Sequence, residues 1–471
     1  MCIRDRDIVV PVILSRKIFC NRVISRYQYL KIEDDMNTVL KNVDLETSYA
    51  EAEDNFKQRN PNSAAMHVSA SEVMPGGNTR TVLHYAPYPL TFSKGEGAHL
   101  YDADGHKLVD FLGEYTAGIY GHNNPIIQSA IETAVRDGIV LGGPNMMEAR
   151  LARLLVERFP ALDLIRFTNS GTEANLMAIG AARAFTGRSK VMAMEGGYHG
   201  GVLYFASPSP INAPFEMVLI PYNDPAFARE VIKREGDQLA CVIVEPMMGS
   251  SGCIPASKEF LETLRSATKE TGTLLIFDEV MTSRLAPGGR HGDLEILPDL
   301  ITLGKYLGGG VSFGAFGGRE DIMEGFNPKA DGAWPHAGTF NNNIMTMTAG
   351  VAGLTQLFTP EACRQLNAKG DSFRRRLINS IETRSLPMQV SGIGSMNTIH
   401  FTEKPILRPV NDPIANRKRD LLHLDMLNSG VYHARRGMLN LSLPMIEEDL
   451  DYAIGCFEEF LDSRAGILAA D

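Results

Sequence analysis

The chain has 471 residues, 44% of them apolar and 22% charged, with a formal net charge of −10. That length fits one large two-part globule or two to three ordinary domains, and the apolar content excludes disorder over most of it. A net acidic chain is not built as a general nucleic-acid binder, and with no run of 18 apolar residues no membrane-spanning helix is expected.

The charge is uneven along the chain. Residues 1–32 carry seven Lys/Arg against two Asp/Glu, which leaves −15 on the remainder. The apolar stretch Ile8–Leu14 in this leader has basic flanks but no small-residue cleavage site after it, so it is read neither as a signal nor as a transit peptide. Residues 1–35 are expected to be a translated upstream extension without function, and Met36 to open an ordinary cytosolic N-terminus. Further on, Tyr101-Asp102-Ala103-Asp104-Gly105 joins the strand-like pieces Ala98–Leu100 and Leu108–Phe111, and Asp-Gly there predicts a hairpin.

From Leu164 the pattern changes. Short runs that are apolar almost throughout (Val191–Met194, Met217–Ile220, Cys241–Val244, Leu274–Phe277 and Leu300–Leu303) alternate with amphipathic stretches. Strands buried on both faces read this way. Between two of them, Phe260, Leu261, Leu264 and Ala267 fall at helical spacing and Gly272 supplies the stop. Strand, helix, strand in repetition predicts an α/β domain with a mainly parallel sheet, whose ligands gather at the carboxyl ends of the strands. After about Gly350 amphipathic helices dominate, with sparse strands at Val431–His433 and Met438–Leu443. The expected division is a large domain over 96–345 and a smaller α+β domain over 346–471, with an N-terminal segment over 36–95 that joins the small domain. The six cysteines (Cys2, Cys20, Cys241, Cys253, Cys363 and Cys456) are all more than ten positions apart, which excludes zinc-finger and C-x-x-C spacings. Reduced thiols and a cytoplasmic location follow as the expectation, with Cys241 as a buried structural thiol.

Walker, dinucleotide-binding, H-E-x-x-H and G-x-S-x-G motifs are all absent. Three turns at predicted strand ends remain. Asn169-Ser170-Gly171-Thr172-Glu173-Ala174-Asn175 opens a helical stretch; it is either a simple N-cap or an anion site on free N–H groups. Asp278-Glu279 ends a buried strand, where carboxylates need a partner: a salt bridge, a metal or a ligand. Lys305 ends another strand ahead of Gly308-Gly309-Gly310, and is either a surface lysine or an amine made nucleophilic by desolvation.

In order and spacing these turns resemble those of the class III, fold-type-I pyridoxal-phosphate aminotransferases, over roughly residues 70–450. Gly171-Thr172, Tyr198-His199-Gly200, Glu245-Pro246, Asp278-Glu279-Val280 and Lys305 fall where that family has its cofactor residues. The resemblance implies a large domain with a mainly parallel seven-stranded sheet, a smaller α+β domain, and a homodimer with shared active sites. It implies pyridoxal 5′-phosphate as the cofactor and no metal. Lys305 would attach the cofactor and carry the proton between carbons, and Asp278 would pair with the pyridine nitrogen. Ser170, Gly171 and Thr172 would hold the phosphate, with Thr339 of Ala337-Gly338-Thr339-Phe340 contributed by the neighbouring subunit. Tyr198 would stack on the ring. Val280 would pack on the ring's other face or be plain core, and Glu245 would lie at the ring edge or in a structural ion pair.

Two subgroups compete. Glutamate-1-semialdehyde aminomutases share the motifs Asn169–Ala174, Asp278–Thr282 and Gly314–Arg319, but the pattern departs at Ser283-Arg284-Leu285 and at Phe340-Asn341-Asn342-Asn343. Those departures, with Asn78–Leu83 and Tyr85-Ala86-Pro87, resemble the aromatic β-amino-acid aminotransferases instead. That subgroup's carboxylate-binding arginines match Arg80, after the Pro75-Gly76-Gly77 turn, and Arg436, with Arg435 as a rival. The expected activity is transfer of an amino group from a β-amino acid to 2-oxoglutarate or pyruvate. The aminomutase isomerisation and a non-catalytic regulatory protein on the same fold are the alternatives. Partners are small molecules, with no nucleic acid and no membrane.

Overall fold

The computed structural model describes residues 44–469; the extension expected over 1–35, with Cys2 and Cys20, lies outside the described residues. The apolar runs of the middle of the chain become strands. In chain order they are β1 (Leu164–Thr168), β2 (Lys190–Met194), β3 (Glu216–Ile220), β4 (Leu239–Val244), β5 (Leu274–Asp278), β6 (Leu300–Gly304) and β7 (Gly314–Gly318). They form one sheet in the order β1-β7-β6-β5-β4-β2-β3. All neighbours are parallel except those of β7, which runs antiparallel to both β1 and β6. The fold is α/β, as the alternation of apolar runs and amphipathic stretches predicts.

The burial explains the sequence pattern. Every residue of β4, β5 and β6 is buried, because helices cover both faces of the sheet. Cys241 on β4 is free and fully enclosed, and burial pushes its thiol up to about 12. The Lys258–Thr271 helix lays Phe260, Leu261, Leu264 and Ala267 inward and ends at Gly272, whose φ of +68° closes the last turn. The β7 strand has no apolar run and was not predicted. Its sequence is Gly-Ala-Phe-Gly-Gly, and a Cβ at Gly314, Gly317 or Gly318 would collide with the backbone of Ser170, Leu164 or Asp299. Glycine is required there by close approach of neighbouring backbones.

Two smaller sheets flank this layer. Phe92–Glu96, His99–Asp102 and Lys107–Asp110 form the expected hairpin region, extended by Val431–Tyr432 from far along the chain. Gln389–Ile393, Met396–His400 and Met438–Asn440 form the second. The first helix, Leu45–Arg59, packs on the helix Pro413–Asn428. There the Arg417 guanidinium lies 3.4 Å from the centre of the Tyr49 ring and the Asn428 amide donates to the Ala52 carbonyl at 3.0 Å.

In that region His423 and His433 are stacked edge to face at 5.1 Å, both buried, with Tyr85 capping His423 at 4.6 Å. Burial pushes His433 from its ordinary 6.5 down to about 4, and pushes His423 well down too. The unfolded chain therefore takes up protons that the fold excludes as pH falls from about 6.5 to about 4, and stability drops across that window. His433→Gln removes one of these titrations. Urea midpoints measured from pH 7 to pH 4 should show an acid loss smaller by up to about 3 kcal/mol; an unchanged pH slope would show that His433 stays solvated.

Candidate active site

The carboxyl ends of β1, β5 and β6 converge, and the three turns singled out in the sequence meet there. Asp278 ends β5 and is 4% exposed. Its Oδ2 accepts from Asn175 Nδ2 and from His199 Nδ1, each at 2.8 Å, and its Oδ1 accepts from the Val280 N–H at 3.0 Å. Against an ionised carboxylate, Nδ1 of His199 is the donor. Asn175 is itself fixed: Nδ2 also donates to the His199 carbonyl at 2.9 Å, and Oδ1 accepts from the Thr302 hydroxyl on β6 at 2.6 Å.

Lys305 follows β6 directly. Its φ of +56° is a left-handed conformation that costs a non-glycine residue about 1–2 kcal/mol. The residue is partly exposed along the cleft, yet its amine is enclosed enough for burial to lower its pKa to about 8. The Arg436 charge pushes in the same direction, while Asp278 and Glu114 oppose it. An amine with its pKa lowered this far carries a free-base fraction at mild pH that an ordinary lysine lacks, which makes it a nucleophile.

The helix Gly171–Thr186 begins beside them. The Ser170 hydroxyl accepts from the Glu173 N–H at 3.2 Å, and the Glu173 carboxylate reaches back to the Asn169 N–H at 2.9 Å. The first helical N–H groups have no carbonyl four residues back, so they and the helix dipole favour an anion. A Cβ on Gly171 would come within 2.9 Å of the Val280 methyls, and one on Gly200 would collide with Thr172. Val280 is part-exposed against Gly171 and Gly304, not plain core. Glu245 makes no ion pair among the described residues. Its two oxygens accept from the N–H groups of Tyr198 and Gly249 at 3.0 and 2.9 Å, and burial raises its pKa to about 7. It thereby clamps the turn that carries Tyr198, whose ring is 42% exposed and lies edge-on to Tyr204 at 5.9 Å.

Arg80 and Arg436 meet at the mouth. Both guanidinium groups face the Tyr115 ring, at 5.9 and 4.9 Å. Arg80 pairs with Glu114 at 2.5 Å, both groups about half exposed. Arg436 has an enclosed Nε without a partner. The rival Arg435 is held by both oxygens of Asp420, at 2.6 and 3.0 Å. Gly113, Glu114, Tyr115 and Thr116 all have positive φ, from 47° to 81°, a strained run that aims Glu114 and Tyr115 at the two arginines. Thr339 is exposed and makes no hydrogen bond to any of these residues; its loop is tied to the helix start only through Asn341, which accepts from Asn169 at 2.9 Å.

Asn175 and His199 lie inside motifs visible in the sequence, but their bond to Asp278 is not. A buried carboxylate demands donors, and an Asn one turn into the helix was the available signal. Nothing in the sequence marks Glu114 or Tyr115.

One cleft thus offers a fixed carboxylate for a ring cation, an anion cradle at a helix start, and a desolvated amine. A phosphorylated pyridine aldehyde matches all three. The chain belongs to the class III aminotransferases: the family model Aminotransferase class-III matches residues 83–455. The cofactor of that class is pyridoxal 5′-phosphate, and its reaction takes an amino donor and a keto-acid acceptor. The chain is 50% identical over 427 residues to the beta-phenylalanine transaminase of Variovorax paradoxus, covering 90% of this chain and 98% of that one. A crystal structure of a beta-phenylalanine aminotransferase from Variovorax paradoxus superposes with a TM-score of 0.88 at 49% identity, covering 91% of this chain and all of the other. The glutamate-1-semialdehyde 2,1-aminomutase of Heliobacterium modesticaldum is 35% identical, over 84% of this chain and 96% of its own.

The enclosed amine gives a direct check. Reductive methylation of the cofactor-free protein across a pH series, read by mass spectrometry, should modify Lys305 with a midpoint near pH 8. Exposed lysines should follow their ordinary midpoint near 10.4. A Lys305 midpoint that coincides with theirs would mean a solvated amine.

Proposed function

We propose that this chain transfers the amino group of an aromatic β-amino acid to a 2-oxo acid. The observation that carries this reading is the pair of arginines around Tyr115 at the mouth of the lysine cleft, one of them with an enclosed Nε that no protein group satisfies. A part-buried guanidinium with an enclosed Nε and no carboxylate partner calls for an anionic ligand, and a substrate carboxylate meets it bidentately. Arg80 is held aside by Glu114 in an exposed pair, which is worth little and yields readily to a substrate. A β-amino acid places its carboxylate one carbon farther from the amine than an α-amino acid does, which suits arginines at the mouth rather than beside Lys305. The name of the Variovorax relative supports the same donor.

Pyridoxal 5′-phosphate, when bound, supplies the electron sink that makes the donor's C–H bond acidic. Asp278 would sit at the pyridine nitrogen and keep it protonated, with His199 and Asn175 fixing that carboxylate. Lys305 would attach the cofactor and then move a proton through its Nζ between donor and cofactor carbons. Ser170, Gly171 and Thr172 would hold the phosphate, Tyr198 and Val280 would bracket the ring, and Glu245 would keep the Tyr198 turn in place. Thr339, exposed and unengaged, suits a contact to the phosphate of a second copy, which supports a homodimer with shared sites. Residues 96–345 would form the cofactor lobe, and 36–95 with 346–471 the lobe that gates substrate. Among the described residues no helix is long and apolar enough to cross a membrane, and we infer a cytoplasmic enzyme.

Two substitutions test the reading. Asp278→Asn keeps the shape but removes the charge, and kcat should fall roughly a hundredfold or more, the scale of losing one electrostatic catalytic group; near-normal turnover would take Asp278 out of the mechanism. Arg80→Ala should lower kcat/KM for β-phenylalanine and 2-oxoglutarate by roughly ten- to a hundredfold while sparing 1-phenylethylamine, which has no carboxylate. Equal losses for both donors would mean that Arg80 is structural.

A further inference from the structure

Arg419 lies on the helix Pro413–Asn428, in no motif and, among the described residues, paired with no carboxylate. One of its terminal nitrogens donates to Asn416 at 2.7 Å, and its enclosed Nε has no acceptor. Arg436, beside it, has the same unsatisfied Nε. The two arginines line a pair of cavities in common. The smaller, about 320 Å³, contains Asp420, but both oxygens of that carboxylate already hold Arg435. The larger, about 830 Å³, is lined by Arg408, Arg419 and Arg436 against a single carboxylate, Glu195. It opens beside the Tyr198 turn, since Gly196 and Tyr204 form part of its wall. Arg436 also faces the Tyr115 ring at 4.9 Å, with Arg80 over the same ring at 5.9 Å, so it belongs to the mouth of the cleft and to this cavity at once.

Unsatisfied, partly desolvated guanidinium groups are costly unless an anion completes them. A monocarboxylate acceptor needs one arginine. Arg80 at the mouth serves the carboxylate that donor and acceptor share, and Arg419, in the cavity it shares with Arg436, is left for a second carboxylate on the acceptor. We propose that Arg419 is the residue that reads the distal carboxylate of a 2-oxo dicarboxylic acid, and that it sets the preference for 2-oxoglutarate over pyruvate as the amino acceptor. Arg436 forms the wall between that site and the reacting carbon. Arg408, exposed on the loop above, adds to the positive field that draws a dianion in. The inference rests on the transaminase reading, because the second carboxylate is that of its acceptor.

The test uses the cofactor-loaded enzyme and two measurements. In the first, kcat/KM is measured for 2-oxoglutarate and for pyruvate with one donor. Arg419→Met, which keeps the aliphatic stem, should lower the 2-oxoglutarate to pyruvate ratio by roughly ten- to a hundredfold, through KM rather than kcat. Arg419→Lys keeps charge without the planar fork and should fall between wild type and Arg419→Met. In the second, calorimetry compares glutarate, which cannot react, with butyrate. Wild type should bind glutarate more tightly, and Arg419→Met should erase the difference. An unchanged acceptor ratio, equal losses for both acceptors, or no glutarate preference in the wild type would each overturn the assignment. Glutarate binding that depends on Arg419, in an enzyme that refuses β-amino acid donors, would uphold this site and sink only the donor proposed above.

Discussion

Burying a carboxylate at the end of a central strand costs several kcal/mol unless donors surround it. Asp278 is in that position, and much of the site follows from meeting its need. Its three donors come from three segments: Val280, two residues on in its own turn, the helix after β1, and the loop after β2. They meet only because the sheet order places those strand ends side by side, with Thr302 on β6 locking Asn175 from below. The neighbouring Glu279 is fully buried on the other side and meets the same demand separately. It accepts from both the backbone and ring of His291, the Arg290 N–H and the Thr282 hydroxyl, all within 3.0 Å. One acidic pair thus anchors two structures: Asp278 faces the cleft, and Glu279 fixes the segment behind it.

The cleft gathers positive charge around one partly desolvated amine. Arg436 and Arg80 both favour the neutral form of Lys305, so a substrate carboxylate that neutralises either arginine also raises the amine's proton affinity. The rim that presents these charges is strained and is held from beneath. Asp110 accepts from the N–H groups of Leu112 and Gly113, at 2.8 and 2.9 Å, at the start of the positive-φ run. The buried Arg284 donates to the Thr116 carbonyl at its end and to the Leu441 carbonyl beyond. Arg284 stands in the segment where the sequence leaves the aminomutase pattern, so that departure coincides with the support of this rim.

Local chemistry made much of this protein legible in the sequence. Five strands of the large sheet could be read because a strand buried on both faces must be apolar throughout, and Gly272 marked a helix end because only a left-handed residue closes it cheaply. Ser170, Asp278 and Lys305 stood out because a cap, a strand-end carboxylate and a lysine before a glycine run are unusual in such places. The glycine-rich β7 was invisible, since its composition answers contacts with β1 and β6 that lie far away in the chain. Tertiary structure alone decided which donors serve Asp278, that Arg435 is engaged by Asp420 while Arg436 is not, and that Arg419 shares a cavity with Arg436 while its Nε is left without an acceptor. Periodicity and capping act over a few residues and are written in the local sequence. A side chain's partner depends on which distant segments the sheet order brings within 3 Å of it, and a single sequence does not carry that distance.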